Sequence, residues 1–368
     1  MKILIINSKE HWINGWMTSP ESLNNVCRIL QKLGCQVHAV EVKSNKELTQ
    51  LLSGIEKSTL VWANAYWVNG DEGKQHGVIA EIEKNQLPLL GSGLNSLIKL
   101  LEKDTCQKIL RESQIPIPDY LVLDADNIKD AIELIGKNQF SFPLVVKPTK
   151  ESRSQGVTKV INNTEVIATI KEIHNRYPKS NIIIEEFLPN NDITCGFLRL
   201  EDEIILLPSY NIVQGMDCSN EVFSEEHYKL PPSYEKQVII NDESILNQLQ
   251  EYVPVIAELL EIGGVTRMDA RLDKNGILKF FDINGMPGLN YPISALIKQT
   301  FVHFPEYSED YLFECLISTI VLENLRKYNM SIPSLMKENN LFNLKSETII
   351  KTTTNTKGRK IHVPELTN

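Results

Sequence analysis

Several features that mark particular protein classes are missing from this 368-residue chain. The six cysteines show no CxxC or other zinc-like spacing, so we expect reduced thiols. No apolar run approaches the roughly 18 residues of a membrane span, and the run in MKILIIN is too short for a signal-peptide core. A formal net charge of −9 lacks the basic excess of a nucleic-acid binder. We therefore expect a cytoplasmic protein that engages neither membrane nor nucleic acid.

The length predicts several domains, because 368 residues exceed the usual size of one hydrophobic core. The first segment alternates strand and helix patterns in the order of a parallel sheet, but it lacks the GxGxxG fingerprint of dinucleotide binding. We expect a Rossmann-like domain over 1–103 and a mixed-sheet subdomain over 104–188. A mainly antiparallel subdomain over 189–327 and a partly flexible extension over 328–368 should follow.

The segment from Val265 onward, VTRMDARLDKNGILKFFDINGMPGLN, predicts a β-hairpin. Asn275-Gly276 is typical of a two-residue type I′ turn. Counting outward from that turn places Asp269 opposite Asp282 and Arg267 opposite Asn284, with all four side chains on one face.

Two carboxylates in direct opposition repel each other, so a cation is expected between them. Oxygen ligands of this kind suit Mg²⁺, or alternatively Mn²⁺, and leave positions open for phosphate oxygens. The alternative is a solvated hairpin in which Arg267 neutralises both carboxylates.

Three further motifs favour a nucleotide. Lys147 ends the strand FPLVVKP and precedes a polar loop with Ser154 and Gly156, whose backbone N–H groups can wrap phosphates. The strand NIIIEEF delivers a connector suited to an adenine ring and a ribose: Glu185, Glu186, Phe187, Leu188 and Asp192. The glycines of NGMPGL let backbone N–H groups approach a charged ligand. Each motif also has a plain structural interpretation: a solvated lysine, an interdomain strand and a simple turn.

In this order and spacing, the motifs resemble the ATP-grasp superfamily, and most closely the D-alanine–D-alanine ligases. The likeness runs from about residue 1 to 320 and is strongest at LPLLGSG…EK, FPLVVKP…SQGVTKV, IIIEEFL…D and GGVTRMDARLD…FFDINGMPGL. It implies an α/β (mixed α+β) ATP-grasp fold, with a Rossmann-like N-terminal domain and two α+β subdomains that sandwich ATP. A homodimer is implied by the resemblance alone.

The resemblance also assigns roles to individual positions. Lys103 and Lys147 match the lysines that hold ATP phosphates, Glu185 and Leu188 match the adenine hinge, and Asp192 matches an acidic ribose ligand. Asp269, Asp282 and Asn284 match the ligands of two Mg²⁺ ions, although many ligases have Glu at the second position. Arg267 and the backbone of Gly288 match the groups that stabilise the tetrahedral intermediate.

The departures from the ligase pattern fall where substrate is bound. The first loop, SKEHWINGWMTSP, carries two tryptophans and a histidine in place of the family's acidic residue, and Tyr66 and Trp67 replace a His-Gly pair. These aromatic residues indicate either a larger, flatter substrate or domain-interface packing. Arg153 near a family serine is either a carboxylate ligand or a surface residue.

Two more segments depart from the family. The candidate lid, between Gln214 and Pro232, has Glu221 and Val222 in place of a Lys-Tyr pair. Beyond Gly288, the substrate-recognition segment is replaced by Asn290, Tyr291 and Ser294.

We therefore expect an ATP-dependent carboxylate–amine ligase that forms an amide through an acyl phosphate, specialised for an amino acid or natural-product substrate. The alternatives are a D-alanine–D-alanine ligase, a small-molecule kinase, and a non-catalytic ATP-binding regulator. The expected partners are a small carboxylate and an amine.

Overall fold

The computed structural model describes residues 1–9, 11–12, 15–69, 75–124, 127–217 and 219–353. The N-terminal part is a parallel sheet flanked by helices, as predicted. Its elements are β1 (Lys2–Ser8), α1 (Pro20–Lys32), β2 (Gln36–Val42), α2 (Asn45–Ser53), β3 (Thr59–Ala63), β4 (Trp67–Asn69), β5 (Gln75–Gly77), α3 (Val78–Lys84) and α4 (Leu94–Leu101). The sheet order is β2-β1-β3, and β4 and β5 form a separate hairpin. The expected strand LPLLG is reduced to a single bridge, Val61 to Leu89.

Local sequence explains why α1 begins where it does. The Ser19 hydroxyl accepts a hydrogen bond from the Ser22 backbone N–H, and Pro20 occupies the first turn, where its missing N–H costs nothing. The helix buries Val26 and Leu30 against the sheet. The loop before α1 is thereby fixed at its far end.

The central part is a four-stranded sheet with its own small core. Its elements are α5 (Lys103–Glu112), β6 (Tyr120–Leu123), α6 (Ala131–Lys137), β7 (Leu144–Pro148), β8 (Thr158–Val160), α7 (Asn163–Arg176) and β9 (Ile182–Glu186). The order is β6-β9-β7-β8 and every pair is antiparallel. The predicted mixed sheet is therefore wrong, because β9 enters antiparallel between β6 and β7 instead of extending the sheet beside β8.

The C-terminal part is built on a six-stranded antiparallel sheet, as predicted. Its elements are β10 (Asp192–Leu200), β11 (Glu203–Val213), β12 (Glu235–Ile239), α8 (Glu243–Leu259), β13 (Val265–Leu272), β14 (Leu278–Asn284), α9 (Ala295–His303), α10 (Glu309–Lys327), α11 (Ser334–Glu338) and β15 (Ile350–Thr353). The order is β12-β11-β10-β13-β14, and β15 also pairs with β11.

The flexibility expected for the extension is wrong for residues 328–353. Met336 and Leu341 are fully buried in the core that the N-terminal and C-terminal parts share. β15 adds a strand opposite residues 203–206 of β11. The rest of the extension, 354–368, lies outside the described residues. Residues 328–353 are therefore an integral part of the fold.

Two general observations complete the description. Among the helices of the described ranges, none has both the length and the apolar composition that a bilayer crossing requires. The five cysteines in those ranges are free thiols, and Cys218 lies outside them.

Candidate active site

The hairpin of β13 and β14 brings together the four side chains expected to share one face. Asp269 lies opposite Asp282 and Arg267 lies opposite Asn284. The predicted opposition of two carboxylates is confirmed.

The turn that produces this register differs from the predicted one. Leu272 pairs with Leu278, and the Asp273 N–H donates to the Ile277 carbonyl, which leaves a three-residue loop. Of the two turn residues only Gly276, at φ +77°, is left-handed. The Asp273 carboxylate accepts from the N–H groups of Asn275 and Ile277 and holds this wider loop. An irregularity after Asp269 then restores the expected pairing, so the prediction was right at the site and wrong at the turn.

Arg267 and Asp269 form a two-pronged ion pair on β13. The guanidinium donates from Nε at 3.1 Å and from Nη2 at 2.8 Å to the two carboxylate oxygens. Burial raises the pKa of the Asp269 carboxyl. Burial alone would lower the pKa of the Arg267 guanidinium, but the Asp269 carboxylate raises it, so Arg267 stays charged. Arg267 thus neutralises one carboxylate, as the alternative interpretation expected, but not both.

The oxygen donors of the hairpin retain capacity for a cation. Each Asp269 oxygen spends one lone pair on Arg267, and a carboxylate offers about four such sites. Asn284 Oδ1 accepts one bond from the Met286 N–H, and Asp282 is 38% exposed. Within the described residues no cluster of three or more His, Cys, Asp or Glu is arranged for a metal, since the third donor here is an amide. The set fits a hard cation that also takes ligand oxygens.

Two lysines approach the hairpin from the neighbouring parts of the chain. Lys103, at the start of α5, donates to the Glu151 carbonyl at 2.5 Å and lies 3.9 Å from Asp282 Oδ1. Burial lowers its pKa, and the Asp282 carboxylate acts in the opposite direction. Lys147, on β7, donates to the Phe281 carbonyl at 3.3 Å. A cation therefore faces the hairpin on either side.

Side chains of the connector after β9 point in different directions. Glu185 is buried and faces Lys147, with 2.7 Å between carboxylate and ammonium. Glu186 is bound by Lys279 at 3.0 Å and by the Asp119 N–H at 3.1 Å. The Phe187 ring and Leu188 line the central cavity.

Sequence reasoning missed Arg271. Its Nε donates to Asp192 at 2.5 Å, and its Nη1 donates to the Leu188 carbonyl at 3.0 Å. The alternation of strand β13, in which positions 267, 269 and 271 share a face, could have revealed it. Asp192 therefore keeps only part of its acceptor capacity for a ligand.

The loop between β7 and β8 carries three left-handed residues. Arg153, Ser154 and Gly156 have φ of 56°, 54° and 71°. A Cβ on Gly156 would lie 3.0 Å from Pro148 Cδ, so this position accepts only glycine without displacement. Left-handed backbone at non-glycine residues is concentrated at ligand sites. The Arg153 guanidinium lies 5.4 Å from the Tyr228 ring centre.

The aromatic residues of the first two loops divide into core and cavity. Trp16 is fully buried and packs edge-on against Trp62, with ring centres 6.0 Å apart. Trp12 donates to Glu41 at 3.1 Å, away from the cavity. Tyr66 and Trp67 line the cavity. Burial raises the pKa of Tyr66, and the Asp282 carboxylate raises it further.

The segment after Gly288 has more structural contacts than expected. Asn290 Oδ1 accepts from the Thr18 N–H at 2.8 Å, and the Asn290 N–H donates to Ser294 Oγ at 2.9 Å. Both residues line the cavity. Tyr291 does not, because its hydroxyl donates to Asp310 at 2.7 Å and its ring packs on Phe313. The prediction of Tyr291 as a substrate residue is wrong.

The lid approaches the site through a residue that the sequence alignment did not identify. Val222 lines the cavity and Glu221 does not, whereas Tyr228 reaches the region of Arg267. Burial raises the pKa of the Tyr228 phenol, and the Arg267 guanidinium acts in the opposite direction. The lid is held to the central part by Lys159, which donates to the Asn220 carbonyl at 2.5 Å, and by the Arg176–Glu225 ion pair.

All of these side chains border one cavity of about 510 Å³. Its wall includes predicted residues from all three parts of the fold: Tyr66, Trp67, Lys103, Lys147, Arg153, Ser154, Glu185, Glu186, Phe187, Leu188, Asp192, Arg267, Asp269, Asp282, Asn284, Gly288, Asn290 and Ser294. Gly156 lies in the same loop but does not border the cavity.

Comparisons with known proteins agree with this architecture. Residues 109–302 match the family model described as D-ala D-ala ligase C-terminus. The D-alanine–D-alanine ligase of Coprothermobacter proteolyticus is 24% identical over 81% of this chain and 97% of its own length. That of Nitrosomonas eutropha is 26% identical over 74% of this chain and 82% of its own. The crystal structure of the Bacillus anthracis D-alanine–D-alanine ligase superposes with a TM-score of 0.66 at 20% identity, covering 89% of this chain and 99% of that one.

A cavity between two antiparallel sheets, bordered by lysines on one and opposed carboxylates on the other, defines an ATP-grasp enzyme. The chain belongs to the D-alanine–D-alanine ligase family. It is an ATP-dependent carboxylate–amine ligase that forms a C–N bond.

Proposed function

We propose that this ligase joins an amino acid to an amine-bearing partner and that its substrates differ from a pair of D-alanines. The carrying observation is the composition of one end of the cavity. Tyr66 and Trp67 line it with aromatic surface, and Asn290 is engaged by the Thr18 backbone. An aromatic wall favours a larger or flatter substrate.

ATP would lie with its phosphates between the lysines and the hairpin. In this proposal Lys103 and Lys147 bind phosphate oxygens, Ser154 and the Gly156 backbone cover them, and the connector Glu185 to Leu188 holds the adenine. Asp192 would accept a ribose hydroxyl. The ion pair of Lys147 with Glu185 supports the first role, because it fixes the ammonium at the edge of the cavity.

Asp269, Asp282 and Asn284 would hold Mg²⁺, or Mn²⁺ as a substitute. When bound, two such ions would neutralise charge on the transferring phosphate. The protein's own contribution is the rigid hairpin that presents the three oxygens on one face.

The reaction needs ATP because a carboxylate is a poor electrophile whose leaving group would be oxide. Phosphorylation gives an acyl phosphate, which the amine attacks with loss of phosphate. Arg267 and the Gly288 N–H would receive the oxyanion charge of the tetrahedral intermediate. The raised pKa of Arg267 keeps this group cationic throughout.

Water must be excluded, since it would hydrolyse the acyl phosphate. We propose that the segment from Gln214 to Pro232 is the lid and that Tyr228 is its contact with the reacting groups. The position of Tyr228 beside Arg153 and near Arg267 supports this role.

We propose the division into an N-terminal domain over 1–103, ATP-grasp subdomains over 104–188 and 189–327, and an extension from 328. The separate small core of the central subdomain supports the second boundary. A homodimer is proposed from family resemblance.

A second candidate is D-alanine–D-alanine ligation itself. The relative from Coprothermobacter proteolyticus bears that name and is matched over 97% of its length. Ser294, which accepts from the Asn290 N–H beside Gly288, could hold a carboxylate in either case.

Phosphate release with pairs of D- and L-amino acids, followed by mass analysis of the product, tests both candidates. We expect turnover only with a pair that includes a larger side chain. Robust turnover with D-alanine alone would replace the first proposal by the second. A stable phosphorylated product without an amide would contradict both.

A further inference from the structure

A chain of buried polar side chains leads across the six-stranded sheet to the cavity. It starts at Gln299 on α9, passes through Ser209 and Gln237, and ends at Asn211. Among these four residues, Asn211 alone borders the cavity. The proposed chemistry uses none of them.

The orientation of the first amide is fixed by main-chain carbonyls. Gln299 Nε2 lies 3.0 Å from the Thr194 carbonyl oxygen and 3.0 Å from that of Leu207. Carbonyl oxygens only accept hydrogen bonds, so the amide nitrogen must occupy this place. The reverse orientation would bring three acceptors together in the buried interior.

The direction of the next bond follows from the Ser209 hydroxyl, which is fully buried. An amide nitrogen has no lone pair to offer, so the hydroxyl cannot donate to Gln299. The Thr194 carbonyl is 3.5 Å away, beyond the normal O–H···O range, whereas Gln237 Oε1 is at 2.7 Å. The hydroxyl therefore donates to Gln237 Oε1. Turning Gln237 around would leave a buried hydroxyl without a good acceptor.

The same logic sets the polarity of Asn211. Because its oxygen faces Ser209, Gln237 turns Nε2 toward Asn211 and donates to Oδ1 at 2.8 Å. The remaining polar group of Asn211, its Nδ2 amide, is then a hydrogen-bond donor. Asn211 lies directly opposite Asp192 on β10, where Cβ atoms are about 5 Å apart.

We propose that Asn211 is the hydrogen-bond donor of the nucleotide ribose pocket. Asp192 is the acceptor, with one oxygen held by Arg271 and the other available. A donor and an acceptor side by side fit two vicinal hydroxyl groups: one donates to Asp192 and the oxygen of the other accepts from Asn211 Nδ2. This inference rests on the ATP site of the proposed function.

Equilibrium binding of the non-hydrolysable analogue AMP-PNP with Mg²⁺, in the absence of acid and amine, tests the inference without knowledge of the substrates. Asn211→Ala should weaken binding about threefold to tenfold, the effect of one lost hydrogen bond. Asn211→Asp keeps the size and the acceptor for Gln237, and so the fold, but replaces the donor by a second carboxylate oxygen. It should weaken binding more than Asn211→Ala. Gln250→Ala, at an exposed position of α8, is the matched control and should bind as the wild type does.

Displacement of AMP-PNP by 2′-deoxy-ATP and 3′-deoxy-ATP identifies the hydroxyl. We expect Asn211→Ala to cause no further loss with the one analogue that lacks the contacted hydroxyl. Unchanged binding by a folded Asn211→Ala protein, or binding by Asn211→Asp at least as tight as the wild type, would overturn the inference alone. Failure of the wild-type protein to bind AMP-PNP would overturn the proposed ATP site together with it.

Discussion

Lys147 and Glu185 form an ion pair across the adjacent strands β7 and β9, with Nζ 2.7 Å from Oε2 and both side chains about 95% buried. Gln107 donates to the other carboxylate oxygen. Buried charges are stable only when paired and hydrogen-bonded. Each partner is therefore held in place by the other.

Removing the lysine alone should be costly. Lys147→Ala leaves the Glu185 carboxylate buried without its cation, and we expect the free energy of unfolding to fall by about 3 to 5 kcal/mol. Urea denaturation measures this. The double variant Lys147→Met with Glu185→Gln should recover a large part of the loss. If the double variant is as unstable as the two single losses combined, the pair is not the cause.

Asp282→Ala should abolish ATP turnover and leave the fold intact. The carboxylate is 38% exposed and lies opposite Asp269, so its removal relieves repulsion in the metal-free protein. We expect a fall in phosphate release on the order of 100-fold or more, since a metal ion contributes several kcal/mol to such a step.

Asp273→Ala is the matched control in the same hairpin. It removes the acceptor for the N–H groups of Asn275 and Ile277 and should reduce stability by about 1 kcal/mol. Turnover should persist. Normal turnover in a folded Asp282→Ala protein would refute the metal site.

Met336 and Leu335 provide a neighbouring pair that tests the packing of the extension. Met336 is fully buried and Leu335 is 44% exposed. Met336→Ala should destabilise by about 2 to 5 kcal/mol, whereas Leu335→Ala should change stability by about 0.5 kcal/mol or less. Equal effects in thermal unfolding would contradict the observed packing.

The unfolding free energy should depend on the protonation of His303. Burial lowers its pKa from 6.5 to about 4. The unfolded chain therefore binds the proton more readily, so this contribution is fully present above pH 6.5 and is lost as the pH falls toward 4. The loss is about 3 kcal/mol. His303→Gln should flatten the curve of stability against pH between these values, and an unchanged slope would exclude His303 as its source.

The predictable part of the site is the part set by strand alternation. Positions 267, 269, 282 and 284 face one side whatever the turn between them, provided the register is kept. Here a wider loop and a later irregularity compensate each other, so the opposition survived an incorrect turn. The Asp273 side chain that selects this loop gave no signal distinct from the Asn-Gly pair.

Contacts between residues distant in the chain were not predictable. Tyr291 was assigned to the substrate because of its neighbours in sequence, but its hydroxyl bonds Asp310 on α10. Trp16 was assigned to a substrate loop, but Trp62 covers it. The extension reads as polar, and its few apolar residues reach the core only because α11 packs against α10. Such outcomes depend on tertiary packing, which overrides local composition.

The pairing of β15 with β11 also protects the protein against self-association. Beyond β12, residues 203–206 would otherwise form an open strand edge with unpaired N–H and C=O groups. Such edges are templates for strand addition from another molecule. The last described strand closes this edge from within the same chain, so shortening the chain before it would expose a surface prone to aggregate as concentration rises.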